Sequence, residues 1–153
     1  MEPPPSDELA TETYHRGRKR DAGLAAAASV AAAVTVACLR YRPQRVSIEG
    51  GSMAPSLAPG DWALAVVPRR FARGDVVVVE HPGRPGYEMA KRLTGVPGDA
   101  MGDRTLGPDE FWVEGDHEPA STDSRHFGPV HGDALRAKVL LVYGPGDRRR
   151  RVR

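Results

Sequence analysis

Cysteine and lysine are scarce in this 153-residue chain. The single cysteine, Cys38, excludes an intramolecular disulfide and the cysteine-rich kind of zinc site. Only three lysines occur, at positions 19, 91 and 138, so each can be weighed individually as a reactive amine. The net charge is +2, and the globular part carries no strong signature of nucleic-acid binding. We therefore predict no metal, no cofactor and no nucleic-acid partner.

Between Val46 and Tyr143 the sequence also lacks any long stretch in which apolar residues recur every three to four positions, the pattern of an amphipathic helix. The chain has 17 glycines and 14 prolines, which favour short strands and many turns. Runs such as "DWALAVV" (61–67) and "GDVVVVEH" (74–81) are bounded by Pro, Gly or Asp, as strands usually are. The sequence predicts a small, mostly β domain over residues 46–144, with six or more short strands.

The N-terminal part of the chain differs from the β domain in amino-acid composition. Residues 1–22 are proline-rich, polar and basic, which predicts a disordered lead-in, and residues 23–39 carry no charge. About 20 residues cross a bilayer, so residues 23–39 fit a transmembrane helix, a signal-peptide core or a buried soluble helix. Basic clusters on both sides favour a single-pass anchor in the cell membrane, with the N-terminus inside and the β domain on the extracytoplasmic side. Residues 145–153, ending in "RRRRVR", predict a solvated basic tail.

The stretch "EGGSMAPSLAPGD" (49–61) is typical either of a flexible linker or of a tight turn that presents Ser52 as a nucleophile. A serine needs a base to take its proton, either a histidine or a neutral lysine. None of the five histidines has a placement that marks it as that base. On an alternating strand Lys91 shares a face with Met89 and Leu93, and that face is either core-facing or, in the opposite register, exposed to water.

Four blocks occur in a characteristic order: "GSMAPSL" (51–57), "GDVVVVEHP" (74–82), "KRLTGVPGD" (91–99) and "VEGDHEPASTDSRHFGPV" (113–130). The set resembles the type I signal peptidase family, membrane-bound endopeptidases with a Ser-Lys dyad and a mostly β catalytic core. The resemblance implies the following roles: Ser52 as nucleophile with its backbone N–H binding the oxyanion, Lys91 as general base, Ser121 as the hydroxyl that orients the lysine, Asp123 and Arg125 as a bracing charged pair, and Met53 beside the pocket for the small residue before the cut.

Three departures from the family pattern stand out. Gly50 lies where some members have a serine that helps bind the oxyanion, and His117 replaces the asparagine of a "GDN" motif. Only 13 residues separate Asp99 from Val113, so the large extra domain of some bacterial members is absent and the chain is a minimal core.

The implied function is removal of N-terminal signal or leader peptides from preproteins after small residues, with the N-terminal helix in contact with membrane lipid. An alternative within the same chemistry is the compact group that removes the leader of nickel superoxide dismutase. Self-cleaving Ser-Lys repressors share the fold but need a helical DNA-binding domain in front. An anchored β module with an inactive site is the non-enzymatic alternative.

Overall fold

A computed structural model describes residues 27–152 of the chain. The predicted lead-in, residues 1–22, and the first four residues of the predicted anchor lie outside the described residues. The chain divides into two compact units, residues 1–40 and 41–153. The helix α1 covers residues 27–41 of the described part, and all its side chains are exposed. In the described part of the chain, no helix combines the length and the apolar character needed to cross a membrane.

The second unit is built almost entirely from short antiparallel strands. Their bounds are β1 Gln44–Ser47, β2 Trp62–Val66, β3 Val76–Glu80, β4 Glu88–Gly95, β5 Ala100–Met101, β6 Arg104–Thr105, β7 Glu110–Glu114, β8 Val130–His131, β9 Leu135–Gly144 and β10 Arg150–Arg151. The main sheet has the order β1-β2-β9-β3-β4-β7-β8, with β10 added to β9, while β5 and β6 form a separate ribbon. One short helix, α2, covers Ser124–Phe127. The predicted mostly β fold is confirmed for this unit.

The central strand β3 shows why the sheet needs no long helix to cover it. Its valines alternate between two hydrophobic clusters: Val76 and Val78 pack into one, and Val77 and Val79 pack into the other. A strand that is apolar at every position is buried on both faces, since successive side chains point to opposite sides. Register shifts in β2, β3 and β4 mark bulges, which bend strands and increase local twist. The sheet therefore curls around its own core.

The C-terminal segment is part of the sheet, in contrast with the predicted solvated tail. Residues Gly146–Arg148 form a single 3₁₀ turn, after which β10 pairs with β9. Arg148 and Arg150 turn inward and form ion pairs with Asp61, whose side chain is fully buried. A run of like charges predicts solvation only when no opposite charge is buried beside it, and Asp61 supplies that charge.

Candidate active site

Ser52 lies in the Ser52 turn (residues 50–61), which connects β1 to β2. The Ala54 N–H donates to the Gly51 carbonyl at 3.1 Å, and the Leu57 N–H donates to the Met53 carbonyl at 2.8 Å. The side chains of Met53 and Leu57 are buried in the core beneath the turn. These two apolar anchors follow the partly buried Ser52, so the hydroxyl is presented by an ordered turn and not by a flexible linker.

Lys91 lies in the middle of β4 and is only 3% exposed. It shares its face with the buried Leu93 and stands opposite Val77 of β3, so the core-facing alternative is the one that the structure adopts. Its Nζ is 2.9 Å from Ser52 Oγ and 2.9 Å from Ser121 Oγ. An amine at this depth, in contact with two hydroxyl groups, is placed to exchange protons with Ser52.

Behind the lysine, Ser121, Asp123 and Arg125 form a continuous hydrogen-bonded chain. Ser121 Oγ donates to Asp123 Oδ2 at 2.6 Å. Asp123 is fully buried at the N-cap of α2, where Arg125 donates to it through Nε at 2.9 Å and Nη2 at 2.6 Å. The Gly115 N–H adds a further bond to Oδ2 at 2.9 Å. The five residues predicted as nucleophile, base and support are thus brought together in one network.

The electrostatics of this network favour a neutral amine at Lys91. Burial lowers the pKa of Lys91; the negative charge of Asp123 opposes this, and the positive charge of Arg125 adds to it. Burial alone would raise the pKa of Asp123, but hydrogen bonds from Arg125, Gly115 and Ser121 outweigh it and hold that pKa well below its usual range. Asp123 therefore stays ionised and paired. Within residues 27–152, no three His, Cys, Asp or Glu side chains are grouped to hold a metal ion.

Gly115 is a site residue that sequence reasoning did not single out. A Cβ added there would lie 2.6 Å from the Ser52 carbonyl oxygen and 2.7 Å from Ser121 Cβ, and it would also collide with Ser121 Oγ. Real Cβ atoms essentially never come so close, so only glycine lets the Ser52 turn approach Ser121. The glycine of "EGDH" is visible in the sequence, but this approach is visible only in three dimensions.

A second ion pair, between Arg92 and Asp116, supports the Ser52 turn from outside the dyad. Arg92 Nε and Nη2 each lie 2.7 Å from an oxygen of Asp116, and Nη2 also donates to Ser56 Oγ at 3.1 Å. The His117 N–H donates to the Ser52 carbonyl at 2.9 Å, so the unusual histidine contributes through its backbone. Alternation along β4 predicts that Arg92 faces away from Lys91. Its partners Asp116 and Ser56 are not predictable from the sequence, because they lie far from Arg92 in the chain.

The remaining predicted positions have simpler surroundings. Met53 is 1% exposed and packs in the core, so its contact with a substrate stays a prediction. Among the described residues no protein acceptor takes the Ser52 N–H, which leaves that donor available for an oxyanion. A Cβ added at Gly50 would meet nothing within 4 Å, so a side chain can be accommodated at this position.

Comparisons with known proteins place this site in context. The chain matches the family model described as signal peptidase, peptidase S26, over residues 21–102 and 100–144. It is 36% identical over 125 residues to mitochondrial ATP-independent inner membrane protease subunit 1a of Arabidopsis thaliana, covering 71% of this chain and 74% of the relative. It is 34% identical over 141 residues to mitochondrial inner membrane protease subunit 2 of Danio rerio, covering 80% and 76%. Subunit 1 of Homo sapiens is 31% identical over 116 residues, covering 65% and 69%.

Proposed function

The chain belongs to the signal peptidase family, peptidase S26, and we propose that it is a serine endopeptidase in which Lys91 activates Ser52. The observation that carries this proposal is the 2.9 Å contact between Ser52 Oγ and the Nζ of a lysine that is almost completely buried. A serine hydroxyl becomes a competent nucleophile when a neighbouring base takes its proton, and a lysine is such a base only when it is neutral.

Ser121 sets the direction of the proton transfer. Its single hydroxyl proton goes to the ionised Asp123, so its oxygen accepts from Lys91. A neutral lysine has two N–H donors and one lone pair. With one N–H held by Ser121, the amine can turn its lone pair toward the proton of Ser52. Replacing this fixed acceptor would leave the amine free to rotate, which lowers the fraction of time spent in the reactive geometry.

The reaction then proceeds in two steps, acylation of Ser52 and hydrolysis of the acyl-enzyme. Lys91 takes the Ser52 proton while Ser52 Oγ bonds to the substrate carbonyl, whose negative oxygen is stabilised by the Ser52 N–H. The lysinium gives that proton to the leaving amine as the peptide bond breaks, which leaves an acyl-enzyme ester on Ser52. Lys91 then takes a proton from water, the resulting hydroxide displaces Ser52, and the lysinium returns the proton to Ser52 Oγ.

The acid limb of the pH–rate profile is expected to move to higher pH in an Arg125→Gln variant. Lys91 must be neutral to act as a base, so kcat/KM rises with pH through its pKa. Arg125 lowers the pKa of Lys91, so removing its charge raises that pKa and narrows the active range from the acid side. The measurement is kcat/KM from neutral to alkaline pH. Arg104→Gln, at an exposed ion pair with Glu110, is the control and should leave the limb in place.

A Gly50→Ser variant is expected to raise kcat. The open space at Gly50 allows a side chain, and a hydroxyl there would supply the oxyanion donor that some family members have. Removing one such donor from other enzymes costs roughly 2.7–4 kcal/mol, so recovering part of it should speed the reaction about tenfold. Gly50→Ala adds the same Cβ without the donor and should give no gain. Equal rates for the serine and alanine variants would show that Ser52 N–H needs no second donor.

The substrate we propose is an N-terminal signal or leader peptide cut after a small residue. Two strand edges support this. Within the described residues β1 pairs only with β2, and β4 pairs with β7 only from Arg92 onward, so Val46–Glu49 and Glu88–Ala90 each have a side without a strand partner. An extended peptide can add to such edges through backbone hydrogen bonds. Both edges lead directly to the residues that carry the chemistry, Ser52 and Lys91.

We also propose that residues 23–39 anchor the chain in a membrane, with the β unit on the side opposite to the N-terminus. In support, the described part of α1 carries no charge up to position 39, and the Thr35 hydroxyl donates to the Ala31 carbonyl at 2.9 Å, so this polar group is satisfied within the helix. The sequence predicts the cell membrane, whereas the relatives are named for the mitochondrial inner membrane. Fractionation after alkaline washing tests the anchor: a truncated chain starting at residue 41 should be released, and the full chain should not.

The function itself is tested by cleavage of a panel of leader peptides. The panel contains a secretory signal ending in Ala-X-Ala and the leader of a nickel superoxide dismutase, each with a variant that carries a bulky residue before the cut. We expect the Ala-X-Ala signal to be cut and its bulky variant to be spared. Exclusive cleavage of the dismutase leader would favour the maturation-protease alternative. Failure to cut any peptide, with no difference from Ser52→Ala, would favour the inactive module.

A further inference from the structure

The four arginines of the C-terminal run, Arg148–Arg151, face alternately inward and outward. Arg148 and Arg150 have about a third of their side chains exposed and contact Asp61. Arg149 and Arg151 are exposed. Within β10 the alternation follows from the strand, because Arg150 pairs with Val142 and Arg151 with Leu141, and neighbouring strand residues point to opposite faces. Arg148 reaches Asp61 from the 3₁₀ turn that precedes the strand. Two arginines of this run, Arg148 and Arg150, are therefore part of the folded structure, and the other two are exposed to solvent.

Asp61 is the residue that draws the two cations inward. Its carboxylate is fully buried at the end of the Ser52 turn. Oδ2 accepts from the Ala58 N–H at 3.0 Å and from Arg150 Nη2 at 2.8 Å, while Arg148 Nη1 lies 3.0 Å from Oδ1. A buried carboxylate is strongly unfavourable unless it is paired and hydrogen-bonded, so Asp61 and the C-terminal segment depend on each other.

Arg150 extends this contact from Asp61 to the Ser52 turn itself. Its Nη2 donates to the Ser56 carbonyl at 2.7 Å, and its Nε reaches the same oxygen at 3.2 Å. On the other side, Arg92 Nη2 donates to Ser56 Oγ. Ser56, four residues after the nucleophile, is therefore held by two guanidinium groups. One of them comes from the neighbour of Lys91 and the other from the last strand of the chain.

We propose that Arg150 is a positioning residue for the reaction, which sets the distance between Ser52 and Lys91 by fixing the carbonyl of Ser56. This inference rests on the proposed function of the dyad. The Ser52 turn is tied internally by the Leu57 N–H bond to the Met53 carbonyl, so a shift at Ser56 is transmitted to Ser52. A misplacement of about 1 Å at a reacting group can cost about 100-fold in rate.

Two substitutions separate positioning from simple stability. Arg150→Gln removes both the charge that compensates Asp61 and the fork that holds Ser56. Arg150→Lys keeps the charge beside Asp61 but replaces the fork by a single compact donor, which cannot hold Ser56 through two nitrogens. Arg151→Gln, next in the chain but exposed, is the matched control. For each variant the full chain is assayed for kcat and KM on a cleaved leader peptide and for Tm by thermal unfolding.

We expect Arg150→Gln to lower both Tm and kcat, with kcat falling about tenfold or more. Arg150→Lys is expected to keep a Tm close to that of the wild type and still lose several-fold in kcat with little change in KM. Arg151→Gln should change neither. A lysine variant with the wild-type kcat would overturn the positioning role, because charge alone would then suffice. A wild-type chain that cleaves nothing would instead contradict the proposed function, so the two failures are distinguishable.

Discussion

Replacement of Lys91 by methionine is expected to abolish cleavage, with kcat lowered by about 10⁴-fold or more, while the fold is kept. Methionine is unbranched and similar in length, but it has no lone pair that can take the Ser52 proton. The site is almost completely buried, so removing the amine relieves an unfavourable burial. The Tm of Lys91→Met should therefore equal or exceed that of the wild type. Loss of activity without loss of stability identifies a chemical role.

The control for this prediction is Lys138→Met, since Lys138 is partly exposed on β9 and pairs with Asp75. Its kcat should stay within about twofold of the wild type, because its amine pairs with Asp75 and not with Ser52 or Ser121. Residues that act as one unit are strongly non-additive, so Ser52→Ala combined with Lys91→Met should be no slower than either alone. A Lys91→Met variant that retained a tenth of the wild-type kcat would show that another group takes the proton.

A Gly115→Ala variant is expected to lose at least about 100-fold in kcat, although position 115 bears no reactive group. The added methyl group would collide with the Ser52 carbonyl and with Ser121. Relief requires that the Ser52 turn or Ser121 move, and either movement lengthens one of the two 2.9 Å contacts of Lys91. Overpacking of this kind typically costs about 1–3 kcal/mol of stability as well, so Tm should fall.

Gly83→Ala is a matched control for this substitution, because a Cβ there would make only ordinary contact, 3.5 Å from the His81 ring. It should leave kcat and Tm close to the wild-type values. A displaced Ser52 can be distinguished from a general loss of stability by the rate at which a serine-directed probe acylates Ser52. This rate is measured well below the Tm of each variant. Wild-type acylation in Gly115→Ala would mean that the turn absorbs the methyl group without moving Ser52.

Local patterns in the sequence predict much of this architecture. The valines of β3 and the alternation of β4 are strand signals, and the buried face of Lys91 was one of the two registers that alternation allowed. The grouping of Ser52 with Ser121 and Asp123 was expected only from the family resemblance. These residues are separated by about 70 positions, and no periodicity relates them. The burial of Lys91 and its distances to Ser52 and Ser121 give that expectation a defined geometry. The hydrogen bond from Ser121 to Asp123 then indicates which group donates and which accepts.

The features that the sequence did not predict all depend on long-range contacts. The C-terminal arginines had every local sign of a solvated tail, and their role depends on Asp61, a residue almost 90 positions earlier in the chain. Gly115 is one of 17 glycines, and nothing local distinguishes it. Its importance comes from the close approach of Ser52 and Ser121, which belong to separate chain segments. Contacts of this kind follow from packing and are invisible to composition and periodicity.

Covalent labelling of Ser52 tests the central claim, that a buried neutral Lys91 activates this serine, most directly. The full chain, Ser52→Ala and Lys91→Met are each exposed to a serine-directed acylating probe, and the adduct is located by mass spectrometry of the digested protein. We expect one adduct on Ser52 in the wild type, formed faster as pH rises through the pKa of Lys91, and no adduct in either variant. Labelling of Ser52 at an equal rate in Lys91→Met would contradict it.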